Sequence, residues 1–316
     1  MTMKAEWLDR YNMLPPGTGV LCALSGGADS MYLLHQMISL REDRCLQVCA
    51  AHYNHGLRGA ESERDAAFVA QQCGKLNVPL MTGRGDVSAR ARENRAGIEE
   101  TARNLRYAFL NEAADALSCS RIATAHTLND QAETVLMNLC RGSGTRGLAG
   151  IPPVRGRIIR PLLQTGRDEI IGWLRENGVP WVEDSSNDGS DYTRNRFRHD
   201  VMPLLLRENP SSLAAIGRAA DLLREDDACL CRMAEAFLRD YWNGSELPAK
   251  KLLGLETAVA ARVLRTVCGT GLSRERTQAL LRFAEGTERG VLELPGQKVH
   301  RSHGMLRFEA NLTERN

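Results

Sequence analysis

The sequence lacks the features that place a protein in or across a membrane. Its 316 residues contain no uninterrupted apolar stretch long enough to cross a bilayer. Residues 1–10 lack the basic and apolar blocks of a signal peptide. The composition, with 43% hydrophobic and 25% charged residues, is that of an ordinary globular chain. We therefore expect a cytoplasmic protein with no membrane partner.

Paired cysteines are also absent. None of the nine cysteines belongs to a Cys-x-x-Cys pair, and the cysteines are scattered through apparent strands and helices. This usage is typical of small core residues in a reducing compartment and argues against a disulfide framework. We expect neither a zinc nor an iron–sulfur site.

Lysine is scarce, because only five of the 41 basic residues are lysine, while the net charge is +2. Arginine binds phosphate bidentately and stacks on bases, so the bias suits an RNA partner. A genome rich in G and C would produce the same bias. The arginines group in residues 141–160 and 194–198. Phosphate contact and surface salt bridging remain alternatives for both groups.

A short glycine-containing loop is the most informative segment. It follows the apolar residues 19–24, which predict a buried strand, and precedes residues 31–37, whose apolar side chains recur at helical spacing. The loop reads Ser25-Gly26-Gly27-Ala28-Asp29-Ser30. Backbone N–H groups at a helix N-terminus bind anions, glycines allow close approach, and serines add hydroxyl donors. An ordinary glycine turn that caps the helix is the alternative.

The loop sequence narrows the kind of anion site. It lacks the Gly-Lys-Ser/Thr ending of the Walker motif and the three glycines of the dinucleotide fingerprint. Asp29 would repel bare phosphate, which favours a Mg²⁺ ligand or a helix cap at this position. All five fixed positions match the SGGxDS signature, and the loop resembles that of the PP-loop ATP pyrophosphatases. This resemblance implies cleavage of ATP to AMP and pyrophosphate while a substrate is adenylated.

The pattern along the chain predicts two domains. Strand and helix patterns alternate to about residue 180, which predicts a parallel sheet covered on both faces, with its ligand at the carboxyl ends of the strands. We predict strands at 46–51, 78–82 and 121–125, and helices at 61–75, 98–117 and 129–140. Further helices are predicted at 211–242, 258–267 and 274–283, and residues 291–308 predict a small sheet or hairpin. We expect an α/β chain with a parallel-sheet ATP-binding domain at 1–210, then a smaller, mainly helical domain with a β hairpin at 211–316.

Polar residues follow the predicted strands. His52 and His55 come after the second strand, and His126, Asp130 and Glu133 come after a later one. Asp130 and Glu133 are three residues apart, so they share one helix face near its positive N-terminus. Two carboxylates there suit magnesium or the orientation of an amine nucleophile, although they also complement a helix dipole. Each histidine has the alternative of a satisfied side chain at a turn or strand end.

Several motifs in order carry a more specific resemblance. They are residues 52–58 (HYNHGLR), 102–107 (ARNLRY), 130–134 (DQAET), 141–144 (RGSG), 160–163 (RPLL), 183–187 (EDSSN) and 194–198 (RNRFR). Over residues 18–205 the chain is similar to the tRNA(Ile)-lysidine synthetases. Tyr53, Thr127 and Leu128 depart from the residues usual in that family. The departures leave the loop, Asp130 and Glu133 unaffected.

The resemblance implies a ligase that acts on the wobble cytidine of tRNA(Ile) with a CAU anticodon. ATP adenylates the cytosine 2-carbonyl oxygen, pyrophosphate leaves, and the ε-amine of L-lysine displaces AMP. The product, lysidine, reads AUA instead of AUG. In the family the C-terminal appendage contacts tRNA, and many members carry a further C-terminal domain that we expect this chain to lack.

The resemblance also implies roles for residues. ATP and Mg²⁺ are assigned to Ser25, Gly26, Gly27, Ala28, Asp29 and Ser30, with Asp29 as the metal ligand. The backbone of Ala51 and His52 is expected to meet adenine, and Arg103 and Arg106 to reach ATP or the anticodon. Asp130 and Glu133 are expected to attract the lysine ammonium and help remove its proton. The tRNA is assigned to Arg58, Arg141, Arg146, Arg194, Arg196 and Arg198.

Two other functions remain open from the residues. One is a different PP-loop enzyme, such as a thiolating enzyme or an amidotransferase. The missing cysteine pairs argue against thiolation, and no glutaminase segment is evident. The other is a nucleotide-dependent RNA-binding module without catalysis, against which Asp29, Asp130 and Glu133 count.

Overall fold

The computed structural model describes residues 4–56, 59–94, 97–183, 193–269 and 272–310. The chain divides into two compact units, Met1–Asp221 and Leu222–Asn316. The domain boundary that we expect at residue 210 stays a prediction. Within the described residues, no helix has the length and apolar character needed to span a membrane.

The first unit is built on a six-stranded sheet. Its strands are β1 (Gly19–Ala23), β2 (Gln47–Asn54), β3 (Leu80–Arg84), β4 (Arg121–Ala123), β5 (Val154–Arg155) and β6 (Ile158–Ile159). The order across the sheet is β3-β2-β1-β4-β6-β5. All neighbouring pairs are parallel except β5 and β6, which form an antiparallel pair at one edge. The predicted parallel-sheet α/β fold is confirmed, with this short antiparallel edge as an addition.

Helices cover both faces of the sheet. They are α1 (Ala5–Arg10), α2 (Ala28–Ser39), α3 (Ala60–Lys75), α4 (Val87–Asn94), α5 (Ile98–Ala116), α6 (Leu128–Cys140), α7 (Thr145–Leu148) and α8 (Arg167–Glu176). After these come α9 (Thr193–Arg196), a π-helical turn (Phe197–Val201), α10 (Met202–Glu208) and α11 (Ser212–Tyr241). Because successive side chains of a strand point to opposite faces, Val20 and Cys22 enter one core and Leu21 enters the other. The continuous apolar run of β1 follows from burial on both faces.

The second unit has its own core and an antiparallel sheet. Its elements are β7 (Glu246–Pro248), α12 (Ala249–Leu253), α13 (Thr257–Cys268), α14 (Arg274–Glu285), β8 (Gly290–Leu294), β9 (Gln297–Ser302) and β10 (Met305–Ala310). The strand order is β7-β10-β9-β8. Leu247, Leu280 and Leu306 are fully buried in its core. The predicted helical region with terminal β structure is confirmed, and β7 adds a strand that the sequence pattern did not predict.

Candidate active site

Two helix N-termini meet at the carboxyl edge of the large sheet. β1 lies between β2 and β4, so the strand order reverses beside it. Open α/β sheets bind their ligands at such a switch point. The chain leaves β1 through the glycine loop into α2, and it leaves β4 through residues 124–127 into α6. The partial positive charge of both helix N-termini therefore faces this edge.

The glycine loop leaves backbone donors open at the start of α2. Gly27 is the N-cap, and within the described part of the chain no side chain caps the first turn. Gly26 has φ +91°, a conformation that favours glycine, and its carbonyl accepts a hydrogen bond from Val182 N at 2.9 Å. Ser30 Oγ donates to Gly27 O at 2.9 Å and accepts from Ser25 N at 3.3 Å. The loop thus has a fixed shape without a capping side chain, as an anion-binding helix N-terminus requires.

Asp29 presents an unpaired carboxylate oxygen. Its Oδ1 is buried and has no hydrogen-bond partner among the residues that the structure describes. Burial raises the pKa of Asp29 to about 6, while Arg167 opposes this increase and Asp130 adds to it. A carboxylate oxygen beside a phosphate-binding loop is the donor that Mg²⁺ prefers, so the residues present fit that ion. In the described part of the chain, no three His, Cys, Asp or Glu side chains are grouped to hold a metal by themselves.

A cavity of about 80 Å³ joins the glycine loop to α6. It is lined by Asp29, Thr127, Asn129, Glu133, Arg167, Arg198 and Met202. The structure therefore brings two of the three predicted catalytic carboxylates, Asp29 and Glu133, to one space. Asp130 does not line the cavity itself. It bonds Arg198, which does, with 3.0 Å between Asp130 Oδ1 and Arg198 Nη2.

The start of α6 fixes the Asp130 carboxylate. Thr127 is the N-cap in a capping box with Asp130. Asp130 Oδ2 accepts from Thr127 N at 2.8 Å and from Thr127 Oγ1 at 3.1 Å. Oδ2 is thus used by the cap, which leaves Oδ1 directed at a cation.

One guanidinium bridges the two predicted lysine-binding carboxylates. Arg198 Nε donates to Glu133 Oε1 at 2.7 Å, and Arg198 Nη2 lies 3.2 Å from Glu133 Oε2 and 3.0 Å from Asp130 Oδ1. Glu133 is only 1% exposed. Burial raises the pKa of Glu133, and the hydrogen bond from Arg198 opposes this increase. The paired carboxylates therefore form a cation site, which the protein's own arginine fills.

The other arginines of the 194–198 group differ in surroundings. Arg194 Nη2 donates to Thr134 Oγ1 at 2.9 Å, and Arg194 Nε lies 3.3 Å from Glu133 Oε2. Arg196 is exposed. Arg194 and Arg198 thus face carboxylates, although the sequence suggested that they face phosphates. Their assignment to tRNA stays a prediction.

His52 and Ala51 support the glycine loop from the neighbouring strand. Leu24 N donates to Ala51 O at 2.9 Å, and His52 Nδ1 lies 3.0 Å from Leu24 O. His52 is 5% exposed, and burial lowers its pKa. A neutral imidazole that donates from Nδ1 accounts for this contact. The expected contact of this backbone with adenine stays a prediction.

Arg103 and Arg106 lie on α5 around one aromatic ring. Their guanidinium carbons are 5.3 and 5.5 Å from the centre of the Tyr107 ring, within the range of cation–π contact. Arg103 is exposed and Arg106 is half-buried. Burial lowers the pKa of His126 to about 4, and the positive charges of Arg160 and Arg106 contribute to this effect. Arg106 therefore lies near enough to His126 to favour its neutral form, as Asp130 lies near enough to oppose this effect.

Two further predicted arginines, Arg141 and Arg146, are not among the residues that line this cavity. Arg141 and Arg146 are exposed beyond the C-terminal end of α6. Arg141 is 11 residues from Asp130, or roughly 16 Å at the rise of an α-helix. Arg58 lies outside the described residues.

Arg167 and Thr127 are site residues that the sequence did not single out. Arg167 lines the cavity and is the first residue of α8. A positive charge at a helix N-terminus is unfavourable, because it opposes the helix dipole. An arginine at this position is therefore a sequence signal for a functional role. Thr127 was noted only as a departure from the family pattern. Its distance of three residues from Asp130 matches the spacing of a capping box.

Known proteins of the same family match most of this chain. A PP-loop domain model matches residues 4–205. A tRNA(Ile)-lysidine synthase from Symbiobacterium thermophilum is 39% identical over 96% of this chain and 67% of its own length. A tRNA(Ile)-lysidine synthase from Geobacter sulfurreducens is 42% identical over 73% of this chain and 49% of its own length. The matches thus span between about half and two thirds of the length of these curated relatives.

A solved structure shares the fold at lower identity. The U34-tRNA thiolase NcsA from Methanococcus maripaludis, with its 4Fe-4S cluster, has a TM-score of 0.55 over 67% of this chain and 74% of that one, at 19% identity. This likeness concerns the fold alone. The family model and the curated relatives together establish that the chain belongs to the tRNA(Ile)-lysidine synthase family of PP-loop proteins.

Proposed function

We propose that the protein ligates L-lysine to the wobble cytidine of a tRNA(Ile) with a CAU anticodon, releasing AMP and pyrophosphate. The observation that carries the proposal is the pair formed by buried Glu133 and half-buried Asp130, which together bind one cation, the Arg198 guanidinium, beside an ATP-type loop. A substrate ammonium carries the same charge as the guanidinium of Arg198. We place the reaction in the cytoplasm, because tRNA and ATP occur there together.

The first step is adenylation of the base. The cytosine 2-carbonyl oxygen attacks the α-phosphorus of ATP, and the bond to pyrophosphate breaks with its electrons on the leaving group. The open N–H groups at the start of α2 stabilise the phosphate charge. Mg²⁺ held by Asp29 would supply further neutralisation of that charge. Arg167, which lines the same cavity, supplies positive charge from the chain itself.

The second step needs an uncharged lysine amine. The lysine ammonium displaces the guanidinium of Arg198 from Asp130 and Glu133, and one carboxylate accepts its proton. The free amine then attacks C2 of the adenylated cytosine, and the C2–oxygen bond breaks to release AMP. Glu133 is suited to accept the proton, because burial raises its pKa and displacement of Arg198 removes the interaction that opposes the increase.

The test follows lysine and pyrophosphate separately. Purified protein is incubated with ATP, radiolabelled lysine and transcripts of tRNA(Ile) and tRNA(Met), both with CAU anticodons. We expect lysine to enter the isoleucine transcript alone. Incorporation into neither transcript would overturn the proposal. ATP binding without pyrophosphate release would favour the non-catalytic RNA-binding alternative.

A substitution separates the two steps. Glu133→Gln is expected to retain pyrophosphate release but to lower lysine transfer about 10²-fold or more, the scale of a lost general base. The matched control is Glu112→Gln, which changes an exposed glutamate on α5 and should leave both steps unchanged. Near-normal lysine transfer by folded Glu133→Gln would remove Glu133 from this role.

A further inference from the structure

The segment after α6 folds back along that helix. It comprises residues 141–151, contains α7 and carries Arg141 and Arg146, and we call it the arginine loop. Asn138 on α6 holds its middle, because Asn138 Nδ2 donates to Gly147 O at 2.8 Å. The carbonyl of Asn138 also accepts from Ser143 N at 3.0 Å. The loop is therefore bonded to the helix at separate points.

Gln131 holds the end of the arginine loop with both ends of its amide. The side chain is 3% exposed. Its Nε2 donates to Ala149 O at 3.0 Å, and its Oε1 accepts from Ile151 N at 2.6 Å. The intervening Gly150 has φ +66°, and a Cβ there would lie 2.6 Å from Gln131 Oε1. Only an amide of this length donates and accepts at once in this position.

The same helical turn carries the reacting carboxylates. Gln131 follows Asp130 directly and precedes Glu133 by two residues. Its amide bonds the loop while Asp130 and Glu133 bond Arg198. One turn of α6 therefore sets the position of both the cation site and the arginine loop.

The arginine loop presents unpaired positive charge. Arg141 and Arg146 are exposed, and neither has an ion-pair partner within the part of the chain that the structure describes. Arg157, farther along, differs in that it pairs with Asp115 at 2.6 Å. Roughly 16 Å of helix separates Arg141 from Asp130, and neither Arg141 nor Arg146 lines the cavity beside the glycine loop. An ATP phosphate at the start of α2 is therefore not the anion that we assign to this loop. The phosphodiester backbone of an RNA has the required charge and extent.

We infer that the arginine loop binds backbone phosphates of the tRNA, and that Gln131 is the positioning residue that fixes the loop relative to the reacting base. The inference rests on the proposed function for its choice of RNA. Contacts with backbone phosphates fix the position of a nucleic acid without reading its sequence. Because Gln131 joins the arginine loop rigidly to the cation site, phosphate contacts at the loop would position the reacting base at that site.

The test compares Gln131→Met, Gln131→Glu, Arg146→Gln and the Gln131→Met/Arg146→Gln double variant. For Arg146→Gln we expect a five- to tenfold higher tRNA KM with unchanged kcat. The slope of log tRNA affinity against log salt concentration should become smaller by about one, the value of one lost phosphate contact. Gln131→Met should raise the tRNA KM to a similar extent, with little change in the KM for ATP or lysine. The double variant should be no worse than Gln131→Met alone, because both changes act through one contact.

The control is Gln72→Met, the same change at a buried glutamine of α3. It should lower stability without raising the tRNA KM. Gln131→Met with an unchanged tRNA KM but a lower kcat or a higher lysine KM would overturn the inference. Rescue by Gln131→Glu, which retains the acceptor alone, would also contradict the need for a two-sided amide.

A direct measurement of tRNA binding tests the inference without relying on catalytic turnover. Fluorescence anisotropy with a labelled CAU transcript measures the affinity of each variant at 50 and 200 mM salt. Failure of the natural sequence to transfer lysine would defeat the proposed function and leave this measurement valid. Unchanged affinity in folded Arg146→Gln and Gln131→Glu would defeat the inference even where lysine transfer is normal and Gln131→Met does not fold.

Discussion

At the residue scale, Asp29 shows a conflict between stability and function. An ionised carboxylate with a buried, unpaired oxygen destabilises the folded state. Its raised pKa, about 6, expresses this cost. A bound cation would offset this cost, so the buried carboxylate favours ligand binding at the expense of stability.

Asp29→Asn should therefore stabilise the protein while removing activity. Well below its ordinary pKa of about 4, the carboxyl is protonated in both folded and unfolded states, so its titration then makes no difference to the stability of the two proteins. As pH rises through about 4 towards 6, the unfolded state loses its proton first, so the natural sequence loses stability relative to the variant. Above pH 6 we expect the variant to be about 1–2 kcal/mol more stable, a value reduced for solvent screening of a half-buried group.

The measurement is urea denaturation across pH 4 to 8, with pyrophosphate release assayed in parallel. In the natural sequence, release should also fall as pH drops through about 6, because protonated Asp29 binds cations poorly. A variant less stable than the natural sequence at pH 7.5 would show that Asp29 makes a stabilising contact and would contradict this account.

The cation site illustrates what the sequence predicts at this scale. The spacing of Asp130 and Glu133 places both on one helix face, and in the structure both bond Arg198. The partner itself is 65 and 68 residues away along the chain. Arginine clustering suggested phosphate contact for Arg198, since a sequence pattern gives a residue's charge but not the neighbours that tertiary folding brings to it.

At the element scale, the N-terminus of α6 joins helix stability to chemistry. The Thr127 cap satisfies orphan backbone donors and also orients Asp130. An N-cap elsewhere in the chain, Ser273 on α14, accepts from Arg276 N at 3.3 Å without touching a site residue. The two caps therefore separate the effect of helix capping from the effect on the site.

Thr127→Val should cost about 1 kcal/mol of unfolding free energy, the usual value of a lost N-cap, and Ser273→Ala should cost a similar amount. Only Thr127→Val should lower lysine transfer, by about tenfold or more, because Asp130 loses the hydroxyl that orients it. Thermal denaturation and single-turnover lysine transfer check the two expectations. Equal activity loss in both variants would mean that stability alone limits the assay.

The long elements were predictable because their apolar periodicity extends over several turns. The predicted helix at 98–117 matches α5 within one residue, and the predicted helix at 211–242 matches α11 within one residue at each end. The two-residue strands β5 and β6 and the three-residue β7 were not predicted. Such short strands present no alternation, and pairing with distant neighbours defines them. The π-helical turn at Phe197–Val201 has no sequence signal of its own.

At the scale of the whole molecule, charge is distributed locally rather than as a net excess. The net charge is +2, yet Arg194 and Arg198 are neutralised by site carboxylates while Arg141 and Arg146 are exposed. The attraction for RNA that we propose therefore depends on which arginines lack partners, and not on their total number. Composition alone could not distinguish these classes.

The two units contain separate hydrophobic cores, and this predicts two thermal transitions. One core includes Leu33 and Ile159 in the first unit, and the other includes Leu247 and Leu306 in the second. ATP with Mg²⁺ is expected to bind the first unit alone, so ligand at 100 times its Kd should stabilise that transition by about 2.7 kcal/mol and leave the other unchanged. Leu247→Ala, at a fully buried position, should lower only the second transition, by about 2–5 kcal/mol.

Differential scanning calorimetry measures both transitions in one experiment. The assignment requires the ATP-sensitive peak and the Leu247-sensitive peak to be different peaks. A single peak that ATP raises and Leu247→Ala lowers would mean that the two cores unfold as one cooperative unit. In that case a mutation in the second core would weaken ATP binding through overall stability, and the RNA-binding and catalytic effects of second-unit variants would have to be compared at equal fractions of folded protein.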